Sequence, residues 1–399
     1  MPKPSYRVIA PNALNTGVVF ASPHSGQAYP AAFLQASQLS ETAIRSSEDA
    51  FVDLLFDAAP VLGAPLLVAD VPRAFVDLNR DCDELDPALI EGARGASHNP
   101  RVSSGLGVIP RVVSNGRPIY TGKMPLTEAK TRLAEHWHPY HAELQSLLDD
   151  AKASFGKAIL IDCHSMPHEA IDQTSGQRPE IVLGDRFGAA CSTDIVREIE
   201  AAFTRAGFRV ARNAPFAGAF VTQNYGRPSR RQHAVQVEID RALYMDEATI
   251  RPLPEFAQIK RRLTRAMADI AEGKVDLAFE LLKDGGYYSS VGLLSASADR
   301  DSLPGMQQGG IGLFSNGHLR IDGKHQRKVK GFRVGAVVTI VIQTDGPKPV
   351  AAWLVDGAEV TREEVAAGYG CRVAVGSLGR VGQPTMFTSS QATPAGKLQ

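Results

Sequence analysis

Two histidines each follow a short apolar run. Ser22-Pro23-His24-Ser25-Gly26 comes straight after GVVFA (17–21), and Asp162-Cys163-His164-Ser165 straight after AILI (158–161). If both runs are buried strands of one parallel sheet, both imidazoles reach the crevice beyond the strands' carboxyl ends, where open α/β sheets bind ligands. Alone, either histidine reads as a hydrogen-bonded loop residue; converging, they read as a metal site, since neutral imidazole is the commonest zinc ligand. A catalytic zinc takes about three protein ligands and leaves one position open, so a carboxylate should complete the set. Glu48-Asp49 is the acidic pair nearest His24, although both would also suit the positive end of a helix opening there. Either Asp162 or a backbone carbonyl could accept the other ring N–H of His164.

Three further signals accompany these. Glu238 interrupts the apolar run AVQVEI (234–239). A buried carboxylate needs a partner or a task, and beside a catalytic metal the usual task is general base. Arg80 ends Val76-Asp77-Leu78-Asn79-Arg80, with Arg73 just upstream; a guanidinium fork matches a carboxylate bidentately, or Arg80 simply pairs with Asp77 or Asp81. His136, His138 and His141 (HWHPYH) lie in a helical stretch, where His136 and His138 read as surface or packing residues and His141 as a candidate pocket residue. Neither a GxGxxG-to-helix junction nor a GxxxxGK[ST] loop occurs, which leaves nucleotide binding without a motif.

Positioning these groups requires an alternation of strands and helices. Apolar runs at 17–21, 65–70, 158–162, 180–183, 208–210 and 234–239 read as strands, and 48–59, 127–154, 193–206 and 254–272 as helices, with Ser46 and Ser47 as cap candidates for the first. That order predicts an α/β domain with a largely parallel sheet over residues 1–280. After Gly273 glycines multiply and β-rich runs such as AVVTIVIQ (336–343) and VAAWLV (350–355) alternate with turns. Residues 285–390 therefore read as a separate, mainly antiparallel β domain, and 391–399 as a disordered tail.

The bulk properties narrow the function. A chain of 399 residues, 44% hydrophobic and 22% charged, is globular and long enough for two domains. Lys plus Arg equal Asp plus Glu at 43 each, so no net field holds nucleic acid or an anionic membrane. The basic run 227–231 (RPSRR) reads as a solvated loop. Four cysteines without CxxC spacing (Cys82, Cys163, Cys191, Cys371) and no apolar N-terminal or membrane-length stretch point to the cytoplasm.

The blocks PHSG, SEDAFVDLLF, PRAFVDLNR, IYTGKMPL, WHPYHAEL, IDCHSM, FAGAFVTQNYG and VQVEIDRALYMDE, in this order over residues 15–272, resemble the N-formylglutamate amidohydrolase family. That family is similar in turn to zinc carboxypeptidases, so the resemblance implies a mixed, mostly parallel sheet with helices on both faces. The carboxypeptidase HxxE spacing is absent here, because Ser25, Gly26 and Gln27 follow His24. The resemblance implies Zn2+ on His24, Asp49 and His164, with Glu48 the other choice for the acidic ligand. It further implies Glu238 as base, Asn79 and Arg80 as a carboxylate clamp, Arg73 as a carbonyl-polarising or carboxylate-binding group, and His141 and Tyr120 at the substrate. The implied reaction is zinc-dependent hydrolysis of an N-acylated acidic amino acid, N-formyl-L-glutamate first, within histidine degradation. The rivals are a same-fold hydrolase of another N-acyl amino acid or small peptide, and a binding protein with an inactive hydrolase domain. Segments YYSSVGLLS, GGIGLFSNGHLRIDG and WLVDGAEV resemble a SPRY-type β-sandwich, which implies a peptide or protein partner for the second domain; an appendage that packs on the first is the alternative.

Overall fold

In the computed structural model, residues 5–272 are described except 94–98, 114–115 and 172–177, and beyond 272 the strands named below together with residue 329. Seven strands form one sheet: β1 (Tyr6–Ile9), β2 (Val18–Ser22), β3 (Leu66–Ala69), β4 (Ala158–Met166), β5 (Ile181–Gly184), β6 (Val210–Arg212) and β7 (Gln232–Asp240). Their order is β1-β3-β2-β4-β7-β5-β6. The pairs β3–β2, β2–β4, β4–β7 and β5–β6 are parallel, while β1 joins β3 and β5 joins β7 antiparallel. The expected mixed, mostly parallel α/β sheet is thus present. The edge strand Tyr6–Ile9 escaped the sequence reading because YRVI alternates half-buried and exposed positions rather than forming an apolar run.

Helices cover both faces. On one side α1 (Leu126–Arg132) continues through a π-turn, Leu133–Trp137, into α2 (His138–Phe155). Pro139 explains the turn: its ring displaces the carbonyl of Glu135 and it has no N–H to offer. The Ser5 hydroxyl donates to that carbonyl instead, at 3.3 Å. Tyr140, Leu144, Leu148 and Ala151 pack with Val19, Ala21 and Leu160 in one core. On the other side α3 (Thr193–Arg205) and α4 (Phe256–Glu272) pack against Val18, Phe20, Ile159 and Ile161. Consecutive residues of one strand therefore serve opposite cores, which is why β2 and β4 read as unbroken apolar runs.

The helix expected over 48–59 is not formed as such. The segment holds a four-residue helix, Val52–Leu55, entered through Phe51 at φ 66, and then a 3-10 turn, Ala59–Leu62. Ahead of it the backbone is drawn outward: the Asp49 N–H donates to the His24 carbonyl at 3.0 Å, and the Glu48 carbonyl accepts from Arg241 at 2.8 Å. Arg227, Arg230 and Arg231 are solvent-exposed, as a surface loop requires. Among the described residues no helix is long and apolar enough to cross a membrane.

The chain divides into two compact units, Met1–Ala271 and Glu272–Gln399. Among its described residues the second holds two sheets. Val275–Glu280, Val337–Gln343, Val350–Val355 and Ala358–Glu364 pair antiparallel in the first of these. Of the expected tail, Gly396–Lys397 adds parallel to Phe279 and Glu280, and the rest lies outside the described residues. The second sheet runs Lys324–Lys328, His318–Ile321, Gly310–Phe314, Tyr288–Leu294, Arg372–Leu378 and Pro384–Thr388, all antiparallel.

Candidate metal centre

β4 and β7 are nine residues each and buried throughout, but their composition changes along the strand. On the face shared with α2, Leu160 is followed by Asp162 and His164, and Ala234 by Gln236 and Glu238. The parallel register places Asp162 beside Gln236 and His164 beside Glu238. Period-two alternation thus turns one apolar stripe polar at the carboxyl ends while the opposite face stays core. His164 lies within the strand rather than in a loop after it, so its position is set by the sheet. His24 comes from the loop that leaves β2, the next strand over.

The two imidazoles meet with ring centroids 4.7 Å apart. Their Nδ1 atoms face one carboxylate oxygen: Asp49 Oδ2 is 2.9 Å from His164 and 3.3 Å from His24. All three residues are buried, with Asp49 and His24 only 1% exposed. Zinc bonds of about 2.0–2.2 Å at tetrahedral angles put ligand atoms roughly 3.3 Å apart, close to this spacing. One orphaned atom argues the same way, since His24 Nδ1 is buried without a hydrogen bond. His24 Nε2 is 2.7 Å from Asp77 Oδ1; a carboxylate only accepts, so Nε2 carries the proton and Nδ1 a lone pair. His164 Nε2 lies 3.1 Å from Asp162 Oδ1 and 3.0 Å from Asn79 Nδ2. A ring that ligates through Nδ1 carries its proton on Nε2, where Asp162 is the acceptor. The residues present therefore suit a divalent cation bound by His24, Asp49 and His164.

Glu48, the other choice for the acidic ligand, points elsewhere and is held by Arg45 at 3.0 Å and the Tyr29 hydroxyl at 2.6 Å. Asp49 is fixed from behind by a residue the sequence reading passed over. The Arg241 guanidinium donates to Asp49 Oδ1 at 3.0 Å, to the Glu48 carbonyl at 2.8 Å and to Ser165 Oγ at 3.1 Å. Ser165 Oγ also donates to Asp49 Oδ1, at 3.2 Å. Burial works against the Asp49 charge, but the two histidines outweigh it and hold the carboxyl well below the usual range. Replacing Arg241 by Met is expected to weaken metal binding about 10–100-fold, the usual cost of removing a group that orients a ligand. A zinc titration checks this, and unchanged affinity would show that Asp49 is positioned without it.

Glu238 Oε1 accepts from Gln236 Nε2 at 2.7 Å, and Gln236 Oε1 accepts from Ala219 N–H at 3.1 Å. Burial, the largest influence, pushes the Glu238 carboxyl up to about 7; the His164 charge opposes this and Asp49 adds to it. Such a carboxyl is suited to proton transfer near neutral pH.

These groups open into a cavity of about 560 Å3, lined also by Arg73, Arg80, Arg101 and Arg241. Arg73 Nε donates to Asp77 Oδ2 at 3.0 Å. Arg80 does not pair closely with Asp77, which is 3.9 Å away; its Nε donates to the Leu106 carbonyl at 3.1 Å. Asn79 lines the cavity, but its amide is engaged at both ends, with Nδ2 donating to Asp162 Oδ2 at 3.4 Å and Oδ1 accepting from Val221 N–H at 2.8 Å. Its place is thus behind the imidazole rather than in a free carboxylate clamp. His141 and Tyr120, expected at the substrate, are not among the residues that line this cavity. His141 bridges Tyr225 Oη at 2.9 Å and the Leu78 carbonyl at 3.0 Å, and burial pulls its pKa down to about 3, so the ring is neutral and structural. Tyr120 Oη accepts from Arg132 at 2.8 Å.

The sequence profile of the N-formylglutamate amidohydrolase family matches residues 16–245. The N-formylglutamate deformylase of Pseudomonas aeruginosa is 32% identical over 256 residues, 63% of this chain and 91% of that protein. That of Pseudomonas putida is 32% identical over 202 residues, 50% and 71% of the two chains. The crystal structure of N-formylglutamate amidohydrolase from Ralstonia eutropha JMP134 superposes with a TM-score of 0.64 at 34% identity, covering 68% of this chain and 98% of that one. With more than half its length matched, and with every block of the centre inside the match, the chain belongs to the N-formylglutamate amidohydrolase family.

Proposed function

We propose that the first unit hydrolyses the formamide of N-formyl-L-glutamate to L-glutamate and formate, with zinc held by His24, Asp49 and His164. The observation that carries this reading is the convergence of two imidazoles and a carboxylate on one point, with Glu238 next to His164 on the neighbouring strand in the same cavity. The cavity volume suits a small molecule rather than a polymer.

A zinc ion there supplies Lewis-acid polarisation of the formyl oxygen and lowers the pKa of water. Glu238 takes the proton from the attacking water as the water oxygen bonds the formyl carbon. As the C–N bond breaks, Glu238 returns that proton to the amine nitrogen, so one carboxyl serves as base and then acid. Arg80 binds a substrate carboxylate, and Arg73, anchored by Asp77, is suited to polarising the formyl carbonyl. The free thiols of Cys82, Cys163 and Cys191 suit a reducing cytoplasm.

The test is a panel of N-formyl-, N-acetyl- and N-carbamoyl-glutamate with N-formylaspartate, each run with and without zinc. N-Formylglutamate is expected to have the highest kcat/KM, and only with metal. Faster turnover of another member would reassign the substrate.

A further inference from the structure

Four guanidiniums line the cavity, and they are not equivalent. Arg73 is held by Asp77 and Arg241 by Asp49, both at hydrogen-bond distance. Arg80 is buried and meets only carbonyl oxygens at that range, those of Leu106 and Asn79. Arg101, on the short helix Pro100–Ser103 and solvent-exposed, has no side-chain acceptor among the described residues. Burial pulls the Arg80 guanidinium below its ordinary value; Asp77 opposes this, while the charges of Arg73 and Arg101 add to it. Two like charges that share a cavity without a carboxylate at hydrogen-bond distance from either leave a place for an anion.

We propose that Arg101 is a specificity-determining residue, which reads the side-chain carboxylate of an N-acyl dicarboxylic amino acid while Arg80 reads the α-carboxylate. This rests on the hydrolase reading above. The assignment follows from depth. Asp77 touches His24 and lies 3.9 Å from Arg80, so of these two guanidiniums the buried Arg80 is the one beside the metal centre and the exposed Arg101 the outer one. The α-carboxylate is bonded to the same carbon as the scissile nitrogen and must stay near that centre. The side-chain carboxylate stands two methylenes farther out, toward the exposed end where Arg101 lies. An arginine there makes the enzyme choose an acidic side chain over a neutral one of the same shape.

The experiment compares N-formyl-L-glutamate with N-formyl-L-glutamine, its neutral isostere, on the full-length zinc-loaded chain and its R101Q and R101K variants. Wild-type enzyme is expected to favour the glutamate substrate. In R101Q, kcat/KM for that substrate should fall about 10–100-fold, mostly through KM, and the preference between the two substrates should collapse by the same factor. R101K should restore part of it, since the charge remains but the fork does not. An unchanged preference, or an equal loss on both substrates, would overturn the role of Arg101 while leaving the hydrolase reading intact. A wild-type enzyme inert toward N-formylglutamate would sink both.

Discussion

The Glu238→Gln variant is expected to lose about 100-fold or more in kcat while binding zinc as tightly as the parent enzyme. The magnitude is that of a lost general base. Retained metal follows from the geometry, because Glu238 lies beside the centre and is not one of the three grouped ligands. Retained fold follows too, since a glutamine oxygen can still accept from Gln236 Nε2. Burial raises the folded-state value to about 7 against an ordinary carboxyl near 4.5. Stability from this group is therefore present below that ordinary value and lost as pH rises through about 7, so removing the charge should leave Tm equal or higher at neutral pH. For activity the sign is opposite, because the base must be ionised. The rate of the parent enzyme should fall on the acid side with a midpoint at or below about 7, lowered by a neighbouring cation, and E238Q should lose that limb. Kinetics against pH, with zinc measured by elemental analysis, checks both. A variant within a few-fold of the parent would place the base elsewhere.

How much of this was visible beforehand depends on what fixes each residue. His24, His164 and Glu238 were legible because each sits in or just after an apolar run, and a polar group there has to be explained. Asp49 and Arg80 needed the family resemblance, for nothing in local pattern separates Asp49 from Glu48 or a clamp from an ion pair. Asp77, which anchors His24 from 53 residues away, and Arg241, which anchors Asp49 from 192, were not read in those roles. Those contacts are made by the order of strands in the sheet, and no spacing along the chain encodes them. The failure over 48–59 has the same origin: the residues favour a helix, but the site draws their backbone groups outward, and tertiary demand overrides propensity. The partners of His141 are equally illegible, because the Tyr225 hydroxyl and the Leu78 carbonyl that hold its ring come from 84 and 63 residues away.

Removing zinc with a chelator is expected to lower hydrolysis at least about 1000-fold, and restoring zinc to recover it, because several kcal/mol of charge stabilisation depend on the ion. The loss should not come from unfolding. Asp49 keeps Arg241 and Ser165, His24 keeps Asp77, and the strands that carry the site are buried on both faces without reference to the ion. The stripped protein should therefore give the circular dichroism of the loaded one, with Tm rising as zinc is added by an amount set by the ratio of free zinc to Kd. Protons compete for the same atoms. Burial works against a charged His164, yet Asp162 and Asp49 outweigh it and hold the imidazole well above its ordinary value. Zinc must displace that proton, so affinity should weaken as pH falls. His164→Ala removes a ligand outright and should abolish stoichiometric zinc at any pH. Full turnover in a sample shown by elemental analysis to be metal-free would end the metallohydrolase reading, whatever the distances among His24, Asp49 and His164.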